Sequence, residues 1–209
     1  MDYKEIVFDV DNTLIDTEYA ILHSLQDTIK QINRKIIPIK ELSFALGITG
    51  EDALRYLKIE DITIALSMWD RNMEKYKNTV LVFKEIKEML TEIIKLNIGI
   101  GIVTSKTHEE FRNDFLSFDI APYFNTVVCS NDTLEHKPKA VPLLKYMELT
   151  KCQNNELLYI GDSIYDMQCA YRANVDFGLV KWGSGDRVST VISFTTPLDL
   201  IRQLSVSSN

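Results

Sequence analysis

The 209-residue sequence predicts a doubly wound, mostly parallel α/β sheet of Rossmann-like type, carrying a small all-helical domain inserted after the first strand. Three observations point there. Short apolar runs rich in β-branched residues alternate with stretches of helical periodicity along most of the chain. One long interruption, from about residue 18 to 78, shows helical spacing and no strand signal. Three strand-like runs end in Asp9, Thr104 and Asp162, at the strand ends where open α/β sheets place their ligands.

The first run, Glu5-Ile6-Val7-Phe8, reads as a buried strand that leads into Asp9-Val10-Asp11-Asn12-Thr13. Residues 18–33 repeat apolar side chains at helical spacing, with Thr17 as N-cap and Glu18 in the first turn. Pro38 breaks the pattern. Shorter helices follow over 40–46, ended by Gly47, then over 50–57 and 62–77. From there strands and helices alternate: helix 83–96, strand 98–103, helix 109–118, strand 126–129, helix 140–147, strand 157–160, helix 165–173. A last strand covers 177–180 and a last helix 197–204, and the tail 205–209 reads as disordered. The core domain is thus residues 1–16 and 80–209, and the inserted helical domain 17–79.

Composition excludes several classes. Hydrophobic residues make up 45% and charged residues 25%, as in ordinary globular domains. A net charge of −7 and a pI near 5.0 argue against nucleic-acid and anionic-membrane partners. No apolar run is long enough to span a bilayer, and the start of the chain has no leader pattern. Cys129, Cys152 and Cys169 are odd in number and lack metal-type spacing, so they read as reduced thiols of a cytoplasmic protein. A monomer or homodimer is expected.

The chemistry is concentrated at the strand ends. One carboxylate of Asp9-x-Asp11 can attack phosphorus and the other can act as general acid and base, and Mg²⁺ favours such oxygen ligands. The competing reading is an Asp pair that caps a turn. Thr104, Ser105 and nearby backbone N–H groups can hold phosphate oxygens, or else Ser105 or Thr107 only caps the next helix. Lys137 precedes Pro138, which keeps it out of helical geometry and lets its ammonium be aimed; the alternative is a solvated charge run with Lys139. Asp162, after Gly161, suits a Mg²⁺ ligand, with Asp166 one helical turn on to orient a metal-bound water or Lys137; helix capping by Asp162 or Ser163 is the rival. His23, His108 and His136 are not spaced as a metal site, and His23 with Tyr19 could face a substrate. Gly47-Ile48-Thr49-Gly50-Glu51-Asp52 reads as a loop dipping toward the phosphate, without a cation for a carboxylate substrate; Lys40 or Arg55 would have to serve.

Asp9-Val10-Asp11-Asn12-Thr13-Leu14, Thr104, Lys137 and the Gly161–Asp166 run, in this order, resemble the four motifs of the haloacid dehalogenase-like (HAD) superfamily, in its phosphoglycolate phosphatase and β-phosphoglucomutase-like branch. The resemblance implies that Asp9 is nucleophile and Mg²⁺ ligand. It implies that Asp11 is general acid and base and reaches the metal through its carbonyl, and that Asp162 is the further ligand. Thr104, Ser105, Lys137 and Asn12 would contact the phosphoryl group, with Ser163 and Asp166 supporting them. It also implies that the inserted helices form a cap. Two positions depart from the family pattern: Asn12, where Gly is common, and Ala140, where a second Pro is common. The expected activity is Mg²⁺-dependent hydrolysis of a small phosphorylated metabolite through an aspartyl-phosphate. A sugar phosphomutase and a non-catalytic binding protein are the alternatives.

Overall fold

The computed structural model describes residues 3–183, 190 and 192–206. Its centre is a six-stranded sheet of β1 (Glu5–Phe8), β4 (Gly99–Val103), β5 (Thr126–Val128), β6 (Leu157–Gly161), β7 (Asp176–Val180) and β8 (Ile192–Phe194). The spatial order is β5-β4-β1-β6-β7-β8, and every adjacent pair is parallel.

The central strands β1, β4 and β6 bury both faces, which is why their runs are continuously apolar rather than alternating. Ile6, Phe8, Ile102 and Ile160 join one hydrophobic cluster, while Val7, Val103 and Tyr159 join the cluster on the opposite face. Residues of opposite parity therefore feed opposite cores. Full burial of each such side chain is worth about 1.5–3 kcal/mol, so a one-residue slip of β1 would misplace Ile6, Val7 and Phe8. Gly101 is required by packing: a Cβ there would come within 2.0 Å of the Tyr146 hydroxyl.

In register, Phe8 lies opposite Ile102 on β4 and Ile160 on β6. The chain therefore leaves β1, β4 and β6 at nearly the same height. β1 sits where the strand order reverses, the crevice that doubly wound sheets use for ligands.

Between β2 (Ile15–Asp16) and β3 (Leu81–Val82) the chain is entirely helical: α1 (Glu18–Asn33), α2 (Ile39–Leu42), α3 (Gly50–Tyr56), α4 (Ile62–Met73) and two 3₁₀ turns. These helices share their own cluster, including Leu25, Ile29, Leu42, Leu54 and Trp69. Polar groups inside it are paired: Trp69 Nε1 donates to Ser24 Oγ (2.8 Å), and Asn72 Nδ2 to Thr28 Oγ1 (2.9 Å). β2 and β3 pair antiparallel, Ile15 with Val82, and so staple the way into the helical segment to the way out. The remaining helices, α5 (Ile86–Lys95), α6 (His108–Asp114), α7 (Val141–Thr150), α8 (Ile164–Ala173) and α9 (Pro197–Val206), cover the sheet.

Several expected boundaries move. The β2–β3 ribbon is too short to leave a periodic signal. β8 extends the sheet beyond β7, which had read as the last strand, because three residues carry little pattern. The helix expected over 62–77 is α-helical only to Met73 and tightens to 3₁₀ over Glu74–Thr79. That expected over 40–46 is likewise α-helical to Leu42 and 3₁₀ at Ser43–Ala45. The helix expected from 83 begins at Ile86, because Glu85 takes a left-handed φ of 68°. Thr17 precedes α1 without capping it; its hydroxyl is buried and has no hydrogen-bond partner among the described residues. Residues 205 and 206 belong to α9, and the rest of the expected tail, 207–209, lies outside the described residues. No helix among the described residues is long and apolar enough to cross a membrane, and the three cysteines are free thiols.

Candidate active site

Asp9 follows β1 directly, and its N–H donates to the Ile160 carbonyl at 2.9 Å, continuing the ladder with β6. The side chain is thereby delivered to the sheet's carboxyl edge, 2% exposed. Lys137 reaches it from the loop before α7, across a cis bond to Pro138. Its Nζ lies 2.8 Å from Asp9 Oδ1 and 2.7 Å from Asp166 Oδ1, all three side chains being essentially sealed from solvent.

Asp166 is held on every side. Oδ2 accepts from the Ser163 N–H and hydroxyl, closing the capping box that starts α8. Oδ1 also lies 2.9 Å from the Tyr159 hydroxyl, which is equally close to the Val103 carbonyl and has one proton to give. Ser163 therefore does act as N-cap, the reading weighed against a role at the site. It does so through a side chain that also fixes Asp166.

Electrostatics follow from burial. Desolvation pushes the Asp9 carboxyl up to about 7; the like charges of Asp166 and Asp11 add to the shift, and Lys137 opposes it. Burial alone would lower Lys137, but Asp166 and Asp9 outweigh it and hold the ammonium above its usual range. Asp9, Asp162 and Asp166 offer carboxylate oxygens within 4.8 Å of one another. Three buried carboxylates converge here and Lys137 contacts two of them, an arrangement that a further cation would stabilise. The donors are all hard oxygens, which fits a Mg²⁺-type ion. Lys137, Tyr159 and Ser163 surround the Asp166 oxygens, and its carboxylate stands beside those of Asp9 and Asp162.

Asp11 lies in front of this cluster. Together with Asp9 and Ser105 it lines a cavity of about 530 Å³ between the sheet edge and the helical segment. The opposite wall includes Ile48, Thr49, Glu51, Trp69, Asp70 and Arg71. The Gly47 loop reaches across as expected. Gly47 has φ +86°, its carbonyl accepts from Ser105 Oγ at 2.9 Å, and a Cβ on it would strike Ser163. Such close approach in a left-handed conformation suits only glycine.

Not every candidate faces the cavity. Thr104 is buried behind the wall, its Oγ1 accepting from the Lys106 N–H at 3.2 Å. Asn12 takes a left-handed φ of 56°, and its Oδ1 accepts from the Thr17 N–H at 3.3 Å, bracing the turn after β1. His23 stacks on Tyr19 at 3.8 Å outside the cavity wall. Neither Lys40 nor Arg55 lines the cavity; among the described residues, Lys106 and Arg71 are the lysine and arginine on its wall.

Three contributors escaped the sequence reading. Tyr159 looked like one more apolar strand residue; only its inward register shows that its hydroxyl meets Lys137. Asp114 sits at the end of α6 without a motif around it. Lys106, two residues past Thr104, was the one with a signal: a cation just beyond a strand end.

Residues 6–180 match the profile of the family described as haloacid dehalogenase-like hydrolase. A protein of Caldanaerobacter subterraneus subsp. tengcongensis, provisionally named pyrophosphatase PpaX, is 32% identical over 87% of this chain and 83% of its own. The phosphoglycolate phosphatase of Photorhabdus laumondii is 28% identical over 81% of this chain and 76% of its own. A crystal structure from Lactobacillus plantarum, provisionally named phosphoglycolate phosphatase, superposes with a TM-score of 0.88 at 25% identity, covering 97% of this chain and 99% of that one. With the sheet order, the strand-end carboxylates and these likenesses in agreement, the chain belongs to the haloacid dehalogenase-like hydrolases, in their phosphoglycolate phosphatase-like phosphatase branch.

Proposed function

We propose that this protein is a Mg²⁺-dependent phosphatase that hydrolyses a small phosphorylated metabolite through an aspartyl-phosphate on Asp9. The observation that carries the reading is the sealed Asp9–Lys137–Asp166 array with Asp11 beside it on the cavity wall.

Asp9, Asp162 and the Asp11 carbonyl would hold Mg²⁺, which supplies charge neutralisation for the transferring phosphoryl group and keeps Asp9 ionised. Asp9 attacks phosphorus, forming one P–O bond as the bond to the leaving oxygen breaks. Asp11 gives that oxygen its proton. Water then attacks the phosphorus of the aspartyl-phosphate, Asp11 takes the water's proton, and the bond to Asp9 breaks to free phosphate. Lys137 fixes Asp9 in line through a contact that Asp166 anchors from behind, so little reorganisation is needed at the moment of attack. The Ser105 N–H, on the cavity wall with Asp9 and Asp11, would complete the phosphate cradle, because the Thr104 N–H is spent on the Val128 carbonyl.

The helical segment acts as a cap. It closes the cavity, keeps bulk water from the intermediate and reads the leaving group. The relatives' names make pyrophosphate and phosphoglycolate the first compounds to compare. Phosphoglycolate requires a cation for its carboxylate. Arg71 is the exposed candidate on the wall, because the Lys106 ammonium is already shared by Asp114 and Asp11.

The test is phosphate release from a panel containing both compounds, with and without Mg²⁺, for wild type and Asp9→Asn. Mg²⁺-dependent turnover that falls at least ~10³-fold in the variant is expected. Turnover that survives Asp9→Asn, or that ignores chelation of Mg²⁺, would sink the reading.

A further inference from the structure

Lys106 is the buried cation that the mechanism above leaves without a task. Its side chain is 8% exposed. Thr104 Oγ1 accepts from its N–H, and its carbonyl accepts from the Ser130 N–H at 2.8 Å, so the backbone is fixed on both sides. The ammonium points into the cavity wall between two carboxylates. It donates to Asp114 Oδ2 at 2.7 Å and stands 3.2 Å from Asp11 Oδ1. The longer contact lies outside hydrogen-bond geometry, and Asp11 Oδ1, itself buried, has no hydrogen-bond partner among the described residues. Asp11, Lys106 and Asp114 all line the same cavity.

We infer that Lys106, anchored by Asp114, is a positioning residue that aims the Asp11 carboxyl at the leaving oxygen. Asp114 matters as much as the lysine. A lysine facing Asp11 alone would close to full ion-pair contact and clamp the carboxylate where it stood. With two carboxylates competing for one ammonium, the shorter contact goes to Asp114, and Asp11 is oriented while remaining free to swing to the substrate. Burial alone would lower the lysine, but Asp11, Asp114 and Glu110 hold it above its usual range, so the charge persists through the working pH range. The arrangement parallels Asp166 with Lys137 behind the nucleophile: each reacting carboxylate has a lysine, and each lysine has a second carboxylate as its anchor. The inference rests on the phosphatase reading and on Asp11 as proton donor.

Aryl phosphates of graded leaving-group acidity test it. Phenol, with a pKa of about 10, needs a proton as it leaves; the more acidic p-nitrophenol needs little help. Wild type, Lys106→Met, Lys106→Arg and Asp114→Asn would be compared by kcat/KM with Mg²⁺ on phenyl phosphate and p-nitrophenyl phosphate. Lys106→Met should lose at least ~10-fold on phenyl phosphate and no more than about 2-fold on p-nitrophenyl phosphate, since general-acid assistance is worth ~10²–10⁴-fold where it is needed. Asp114→Asn, which leaves every group near the phosphoryl site in place, should show the same selectivity to a smaller extent, and Lys106→Arg should recover part of the loss. Equal losses on both esters would overturn the inference and assign Lys106 to phosphate binding or to the fold. No loss on either would overturn it as well. If wild type turns over neither ester while the protein is folded and Mg²⁺ is present, the phosphatase reading itself fails, and the inference with it.

Discussion

The two walls of the cavity are built by different physics. The sheet-side wall hangs on strand ends, and the carboxylates behind it are sealed and multiply bonded: Asp166 alone accepts from Lys137 and twice from Ser163, with the Tyr159 hydroxyl 2.9 Å away. The helical wall rests on short helices and 3₁₀ turns packed around a separate hydrophobic cluster, with exposed polar residues such as Glu51 and Arg71 at the rim. On the proposed mechanism the first wall has to hold its groups in place, because an in-line attack tolerates little displacement. The other has only to cover the site and recognise what lies beyond the phosphate. On that reading chemistry and selectivity belong to regions with separate cores, so substitutions should divide into those that change kcat and those that change KM.

The sharpest way to break that comparison is Lys137→Met. It leaves Asp9 and Asp166 buried without their shared cation. The expected cost is about 3–5 kcal/mol of stability, read by urea denaturation, together with loss of turnover. If turnover persisted at wild-type stability, the sealed array would be neither structural nor catalytic.

In the helical wall, Leu54→Ala empties a fully buried position of the separate cluster. It should cost about 2–5 kcal/mol. If the two cores unfold separately, the loss appears as an early transition that changes KM first. A single transition in which kcat falls in step would mean that the regions are one cooperative unit.

The sheet-side wall should also make metal-free stability depend on pH. Asp9 titrates near 7 in the folded chain against 3.8 as a free side chain. Between those values the folded state binds the proton and the unfolded state does not, so stability falls as pH rises from about 4 to about 7. Mg²⁺ should reverse this, raising Tm most at and above pH 7, and the gain should shrink in Asp162→Asn. A thermal-shift series over pH, with Mg²⁺ or a chelator, checks it; a flat profile would show that the buried carboxylates are not the metal-linked group.

Smaller effects sharpen the picture of the loop over the site. Thr49 caps α3 by accepting from the Asp52 N–H at 3.1 Å. Thr49→Ala should cost about 1 kcal/mol and raise KM more than it lowers kcat, measured by steady-state kinetics. Breaking the exposed Glu51–Arg55 pair with Arg55→Ala should cost no more than about 0.5 kcal/mol.

Most of the sheet was legible because period and composition are local properties. Buried parallel strands must be apolar throughout, so Glu5–Phe8, Gly99–Val103 and Leu157–Gly161 stand out, and the residues after them can be read as an edge facing ligand. Asp9, Asp11 and Asp162 stand out from that pattern, Asp166 lies one helical turn on, and Lys137 stands out through Pro138 and the family resemblance; the structure gathers them at one place. What the sequence could not show were relations between distant segments. Tyr159 becomes a partner of Lys137 only because the register of β6 turns it toward the face where α7 begins. Asp114 meets Lys106 only through the length and packing of α6. β8 and the β2–β3 ribbon exist because neighbouring backbone offers hydrogen bonds, not because two or three residues prefer to be strands. By itself the sequence determined which residues can do chemistry and on which edge they emerge. The tertiary structure decided which carboxylate is paired with which lysine, because a charge contact depends on ångström-scale distances between chain segments that no local pattern records.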